Sequence, residues 1–138
     1  MRTALFTASY NRPDLFLEVL KGLEQNEDDL ENIDVYHYID GGAESKQDEL
    51  LAHINESKIE HQEIILREEN YGVGRNLIGA RRDLYDKLGY DRVILVEDDL
   101  VPGPNFIKTS LNLADWARQY DDIGMTQVWN LPKENVTE

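Results

Sequence analysis

A chain of 138 residues with 41% apolar side chains is long enough for one domain with a real core and too hydrophobic to be read as disordered. Its formal net charge of −14 argues against nucleic acid and anionic membranes as partners, since both call for a basic surface; a phosphate ligand would need a local site. The absence of cysteine excludes disulfides, thiolate zinc sites and a cysteine nucleophile.

Taken in order, Thr3 to Ser9 reads as a short apolar strand ending in small and polar residues. Pro13 suits the first turn of a helix, where its missing N–H costs nothing, and Phe16, Val19, Leu20 and Leu23 follow with helical spacing. Arg12 stands close to that helix start, where the dipole disfavours a cation. A bound anion would resolve the conflict; an arginine reaching into solvent is the plain alternative.

Residues 33–39 alternate as a second strand and close in Asp40-Gly41-Gly42. Asp40 either accepts a hydrogen bond from a ligand or bonds the backbone of its own turn. Ser45 with Asp48 has the form of a capping box for a helix carrying Leu50, Leu51 and Ile54. His37, His53 and His61 lack metal-ligand spacing and read as ordinary core or surface histidines.

Ile64-Ile65-Leu66 is the third strand, and Asn70-Tyr71-Gly72-Val73-Gly74-Arg75-Asn76 opens a helix with Leu77, Ala80, Leu84 and Leu88. Glycines at such a turn let a ligand approach the backbone, and a helix start attracts anions. The Gly-x-Gly is weak by itself: leucine at position 77 breaks the dinucleotide fingerprint, and there is no Walker A lysine. Arg75 sets a second cation near a helix start, while Arg81 and Arg82 read as solvated or paired with Asp83 and Asp86.

Val93-Ile94-Leu95-Val96 reads as a central strand buried on both faces. Glu97-Asp98-Asp99 follows at its carboxyl end, where ligands sit in open α/β sheets. Adjacent carboxylates repel, burial raises the cost of charging them, and a divalent cation such as Mn²⁺ or Mg²⁺ relieves both. The plain alternative is a solvated acidic turn that helps to cap the next helix. That helix carries Phe106, Ile107, Ser110, Leu111, Ala114 and Ala117; residues 123–129 read as a last strand and residues 131–138 as a polar tail. No repeat, linker or boundary interrupts residues 1–138, so a single domain is expected. Alternating strands and helices make the fold α/β, with a mostly parallel sheet flanked by helices.

Assembled in this order, the residues resemble the nucleotide-sugar half of a GT-A (Rossmann-like) glycosyltransferase, most like the N-acetylglucosaminyltransferase I-like group. The resemblance rests on Tyr10-Asn11-Arg12-Pro13, Ile39-Asp40-Gly41-Gly42, Val96-Glu97-Asp98-Asp99-Leu100 with Pro104-Asn105-Phe106, and Val128-Trp129-Asn130. The stretch from Asn70 to Asn76 is similar to a segment of GT-A enzymes more widely. It implies metal-dependent transfer of a hexosyl or N-acetylhexosaminyl group from a UDP-sugar, with inversion. By it, Asp99 ligates the Mn²⁺ or Mg²⁺ that bridges the donor diphosphate, and Asp98 and Glu97 contact the ribose and the donor sugar. Asp40 contacts uracil and Arg12 the ribose–phosphate region, with Ala8, Gly72 and Arg75 also at the nucleotide. A carboxylate at Asp40 can accept the N3–H of uracil but finds no donor at N3 of cytosine.

Members of the group continue well beyond the Trp-Asn strand, and that half supplies acceptor contacts and the base of inverting members. Asp121, Asp122 and Glu134 do not match that base. The expectation is therefore a minimal transferase with a shallow acceptor site, or a donor-binding half that transfers poorly. The acceptor is unknown, and a second surface, such as a neighbouring subunit of a homo-oligomer, would complete its site. Three readings compete: a nucleotide-sugar binder without useful transfer, a receiver-like phosphoacceptor domain, and a sugar nucleotidyltransferase. Ser9-Tyr10-Asn11 stands where a receiver needs an acidic pair, and the glycine-rich basic loop of a nucleotidyltransferase is missing.

No apolar run approaches the ~20 residues needed to span a bilayer. The stretch before Asn11-Arg12-Pro13 is too short for a signal peptide, and Asn135-Val136-Thr137 is read as a chance sequon. A cytoplasmic protein without a membrane segment is expected.

Overall fold

The computed structural model describes residues 1–128. Strands β1 (Thr3–Ser9), β2 (Asp34–Ile39), β3 (Glu63–Leu66) and β4 (Arg92–Glu97) form one sheet in the order β3-β2-β1-β4, and every pairing is parallel. Helices α1 (Pro13–Glu24), α2 (Glu27–Leu30), α3 (Gln47–Glu56), α4 (Gly72–Arg82) and α5 (Phe106–Ala117) connect and follow the strands. The α/β reading with a parallel sheet therefore holds. No described helix is long and apolar enough to cross a membrane.

Two apolar layers explain the arrangement. On one face Leu5, Val35, Ile39 and Val96 pack with Phe16, Val19, Leu20 and Leu23 of α1, Leu50 and Ile54 of α3, and Ile107 of α5. On the other, Ala4, Phe6, Tyr36 and Tyr38 pack with Ala80, Leu84 and Tyr90. From β1 the chain steps outward to β2 and β3, then returns past β1 to β4. Connections of one hand put their helices on opposite faces when the direction of travel reverses, which accounts for α4 standing alone on the second face. The reversal falls between the carboxyl ends of β1 and β4, the place where open α/β sheets form their ligand crevice.

Several expectations are corrected here. β4 is an edge of the described sheet, and Val93, Ile94 and Leu95 are half-buried while Val96 alone is buried. A run of branched residues looks the same with one neighbouring strand or two; the central places belong to β1 and β2. Ser45 does not cap α3: the helix starts at Gln47 without a side-chain cap, and the Ser45 hydroxyl donates to the Asp40 carbonyl at 2.6 Å. After α4 the chain continues in a π-helical turn, Asp83–Lys87, with the Leu88 N–H donating to the Asp83 carbonyl at 2.9 Å. The wider turn shifts the helical phase, so Leu84 is buried but Leu88 is 42% exposed. Residues 123–128 form no strand, and Trp129, Asn130 and residues 131–138 lie outside the described residues.

Of the histidines, His37 is a core residue. Its Nδ1 is 2.7 Å from the Thr7 hydroxyl, and Phe16 and His61 meet its ring edge to face. Burial, aided by His61, lowers its pKa from 6.5 to about 3. The unfolded chain thus binds a proton that the folded chain refuses between those values. Stability from this residue is complete above about pH 6.5 and is lost as pH falls towards 3, by about 2 kcal/mol at pH 5. Urea unfolding of wild type and His37→Gln at pH 7.5 and pH 5 checks this. The wild type should lose about 2 kcal/mol more than the variant on acidification, because carboxylate effects are common to both. Equal losses would contradict the assignment.

Candidate functional site

The crevice between β1 and β4 is bounded by Tyr10-Asn11-Arg12 on one side and by the turn at Asp98 and Asp99 on the other. Arg12 spans it. Its Nη2 donates to Asp98 Oδ1 at 2.5 Å and its Nε to Asp98 Oδ2 at 3.4 Å, while Nη1 donates to Asp99 Oδ2 at 3.4 Å. Gripping Asp98 with two nitrogens is the forked contact that only a guanidinium makes. Burial raises the pKa of Asp98, and the hydrogen bonds and charge of Arg12 oppose that rise. Asp98 in turn raises the pKa of Arg12, which stays cationic.

The acidic turn is held from below. Gly22 of α1 lies so close to Pro102 that a Cβ there would sit 2.6 Å from the Pro102 carbonyl oxygen, so only glycine lets this loop settle on the helix. Asn26 is buried and donates through Nδ2 to the Gly22 and Gly103 carbonyls at 2.9 Å each, while its Oδ1 accepts from the Ile107 N–H at 3.2 Å. One side chain thus joins the end of α1, the loop after β4 and the start of α5. No local pattern in the sequence singles it out.

The three carboxylates do not converge. Glu97 pairs in register with Ala8 and shares its face of the sheet, towards α4; Asp98 faces Arg12, and Asp99 is exposed. Among the described residues no three His, Asp or Glu side chains are grouped to hold a metal. Arg12 offsets the charge of Asp98 and Asp99. A metal still fits in one way. Asp99 offers a hard oxygen on a side chain that is 46% exposed, and Mg²⁺ is commonly held by one or two carboxylates plus substrate phosphates. The residues suit a metal brought with a diphosphate, not one held by protein alone.

Asp40, Gly72 and Arg75 form a second group at the ends of β2 and β3. The buried carboxylate of Asp40 accepts from the Gly41 and Tyr71 amides through Oδ1, at 2.9 and 2.7 Å, and from the Gly72 amide through Oδ2, at 2.9 Å. One of these bonds lies within its own turn; the other two secure the start of α4 from another strand. Gly72 has φ +74 and its amide is already engaged, so it serves the turn's shape and offers no free N–H to a phosphate. Arg75 pairs with Glu69 at 3.2 Å and lies 3.8 Å over the Tyr71 ring. Arg67 also lies over Tyr71, at 4.9 Å, and bonds Asn76 at 3.1 Å. The ends of β3 and β1 are separated by β2 and stand roughly 10 Å apart, whereas Asp40 at the end of β2 adjoins β1, its N–H donating to the Ser9 carbonyl at 2.9 Å. Arg81 and Arg82 make no ion pair among the described residues; Asp83 pairs with Lys87 and Arg67 instead.

Asn70 links the two groups. Its Nδ2 donates to the Tyr10 hydroxyl at 2.9 Å, and the Tyr10 carbonyl accepts from the Lys46 N–H at 2.9 Å. Tyr10 thus ties the loop before α4 and the loop before α3 to the end of β1.

No protein-family model matches the chain, and no curated protein sequence matches it. Fold and geometry define an α/β domain with a parallel sheet whose reversal point carries an arginine-bridged acidic turn.

Proposed function

We propose that this chain is a metal-dependent glycosyltransferase domain with a UDP-sugar as donor. The observation that carries the reading is the meeting of Arg12 with Asp98 and Asp99 at the carboxyl ends of β1 and β4. That is where open parallel sheets take nucleotides. When bound, Mn²⁺ or Mg²⁺ would supply Lewis-acid stabilisation of the departing diphosphate. Asp99 would hold that ion, and Arg12 would present its remaining donors to the phosphates. Asp98 keeps Arg12 oriented, and Glu97 and Ala8, side by side on the α4 face of the sheet, would stand nearest the donor sugar. Asp40 enters with three lone pairs occupied, which leaves one on Oδ2 for the uracil N3–H.

A second reading, donor binding without useful transfer, is favoured by one observation. Asp98 and Asp99 both pair with Arg12, and Glu97, the one carboxylate at the end of β4 without an ion-pair partner among the described residues, lies towards α4, so no unpaired carboxylate stands beside Arg12 to act as base. The test is calorimetric titration of UDP-, GDP- and CDP-sugars with and without Mn²⁺, followed by assay of UDP release with a panel of acceptors. Saturable binding of a UDP-sugar that needs Mn²⁺ is expected. No nucleotide-sugar binding in the presence of Mn²⁺ would end the proposal, and binding without product would favour the second reading.

A further inference from the structure

We infer that the outer face of α4, with the π-helical turn that extends it, docks an acidic segment of another protein that carries an apolar anchor between carboxylates. A groove of about 180 Å³ lies there, lined by Ile78, Arg81, Arg82, Tyr85 and Asp86. Arg81 and Arg82 follow Ile78 at i+3 and i+4, and Tyr85 comes one turn later, so the four share one side of the helix. Ile78 is 55% exposed and Tyr85 44%. Two large apolar side chains thus frame the groove in solvent, with two guanidinium groups between them. The π-helical turn buries Leu84 while Tyr85 and Leu88 stay outside, and such turns are frequent at functional sites.

Charge and size define the occupant. Arg81 and Arg82 are exposed and make no ion pair among the described residues, since Asp83 is taken by Lys87 and Arg67. Residues 72–87 hold four basic and two acidic side chains in a chain whose formal net charge is −14, so this face is locally of the opposite sign. Asp86 is the one carboxylate lining the groove. Carboxylates of a partner would pair with both guanidinium groups. Nucleic acid and anionic membranes are repelled by the rest of the chain. A second copy across a two-fold axis would set four guanidinium groups against one another. The groove is smaller than the roughly 300–1,000 Å³ of small-molecule sites, so it fits one anchoring side chain and not a whole ligand. A helix laid along α4 presents anchor and carboxylates at matching intervals.

The experiment is amide NMR of the labelled chain titrated to millimolar concentration with a synthetic helical peptide that carries leucines one turn apart, flanked by glutamates. Two control peptides replace the leucines by serine or the glutamates by glutamine. Shifts are expected at residues 77–88, weakening as salt is added. The serine peptide should bind roughly tenfold more weakly or worse, because it buries no anchor. Arg81→Gln combined with Arg82→Gln should weaken the parent peptide roughly tenfold with an unchanged circular dichroism spectrum, since both side chains are exposed. No shifts on α4 at millimolar peptide, or shifts concentrated elsewhere, would overturn the inference. Equal binding of the glutamine peptide would overturn it too, by removing the role of charge. Shifts at the same residues that grow with protein concentration alone would assign the face to a second copy, against the inference.

Discussion

Asp40→Ala is expected to destabilise the fold by about 2–3 kcal/mol, the largest single effect on stability among the site residues. The carboxylate accepts from three backbone amides, at Gly41, Tyr71 and Gly72, and it is buried. Alanine leaves all three donors without their acceptor. Gly41 is buried, so its amide bears the full cost, whereas Tyr71 and Gly72 are half-buried and water can replace part of their loss. The start of α4 would loosen with them. Asp40→Asn keeps one acceptor but turns an amide NH₂ towards an N–H, so it should fall between. Urea unfolding checks this through a lower midpoint at unchanged slope. A shift below about 0.5 kcal/mol would contradict this structural role, and lost UDP affinity in that case would leave Asp40 with the uracil contact alone.

The second large effect concerns binding. Asp99→Ala should lower Mn²⁺-supported UDP affinity roughly a hundredfold, since even residues that merely orient metal ligands cost 10–100-fold when removed. Stability should change little, because the side chain is 46% exposed and makes one 3.4 Å contact. Arg12 remains held by Asp98. Calorimetry with and without Mn²⁺ should give nearly equal UDP affinities in the variant. A variant that retained wild-type metal dependence would remove Asp99 from the metal.

Much of the fold is legible in the residues because burial writes itself into apolar periodicity. Phe16, Val19, Leu20 and Leu23 mark α1, and Leu50 and Ile54 mark α3, and all of them are in the core. Sheet position is not written there: the run from Val93 to Val96 looks central and stands at an edge. The brief α2 carries only Leu30 as a buried residue and gives no period to detect. Ser45 and Asp48 satisfy the pattern of a cap, but the tertiary pull of the Asp40 carbonyl takes the hydroxyl elsewhere. The site was half legible. Arg12, Asp98 and Asp99 stand out singly as charged residues at element ends, yet their mutual pairing joins positions 86 and 87 residues apart and leaves no local trace. Asn26 is invisible for the same reason, since its partners at Gly103 and Ile107 are 77 and 81 residues away.

The central claim, that the crevice between β1 and β4 takes a metal-bound uridine diphosphate, is tested most directly by amide NMR of the labelled chain titrated with UDP and Mg²⁺. The account expects the largest shifts at residues 9–12 and 97–101, saturating together and failing to appear when Mg²⁺ is withheld. Shifts concentrated on the outer face of α4, around Ile78, Arg81, Arg82 and Tyr85, or no shifts at all, would contradict it.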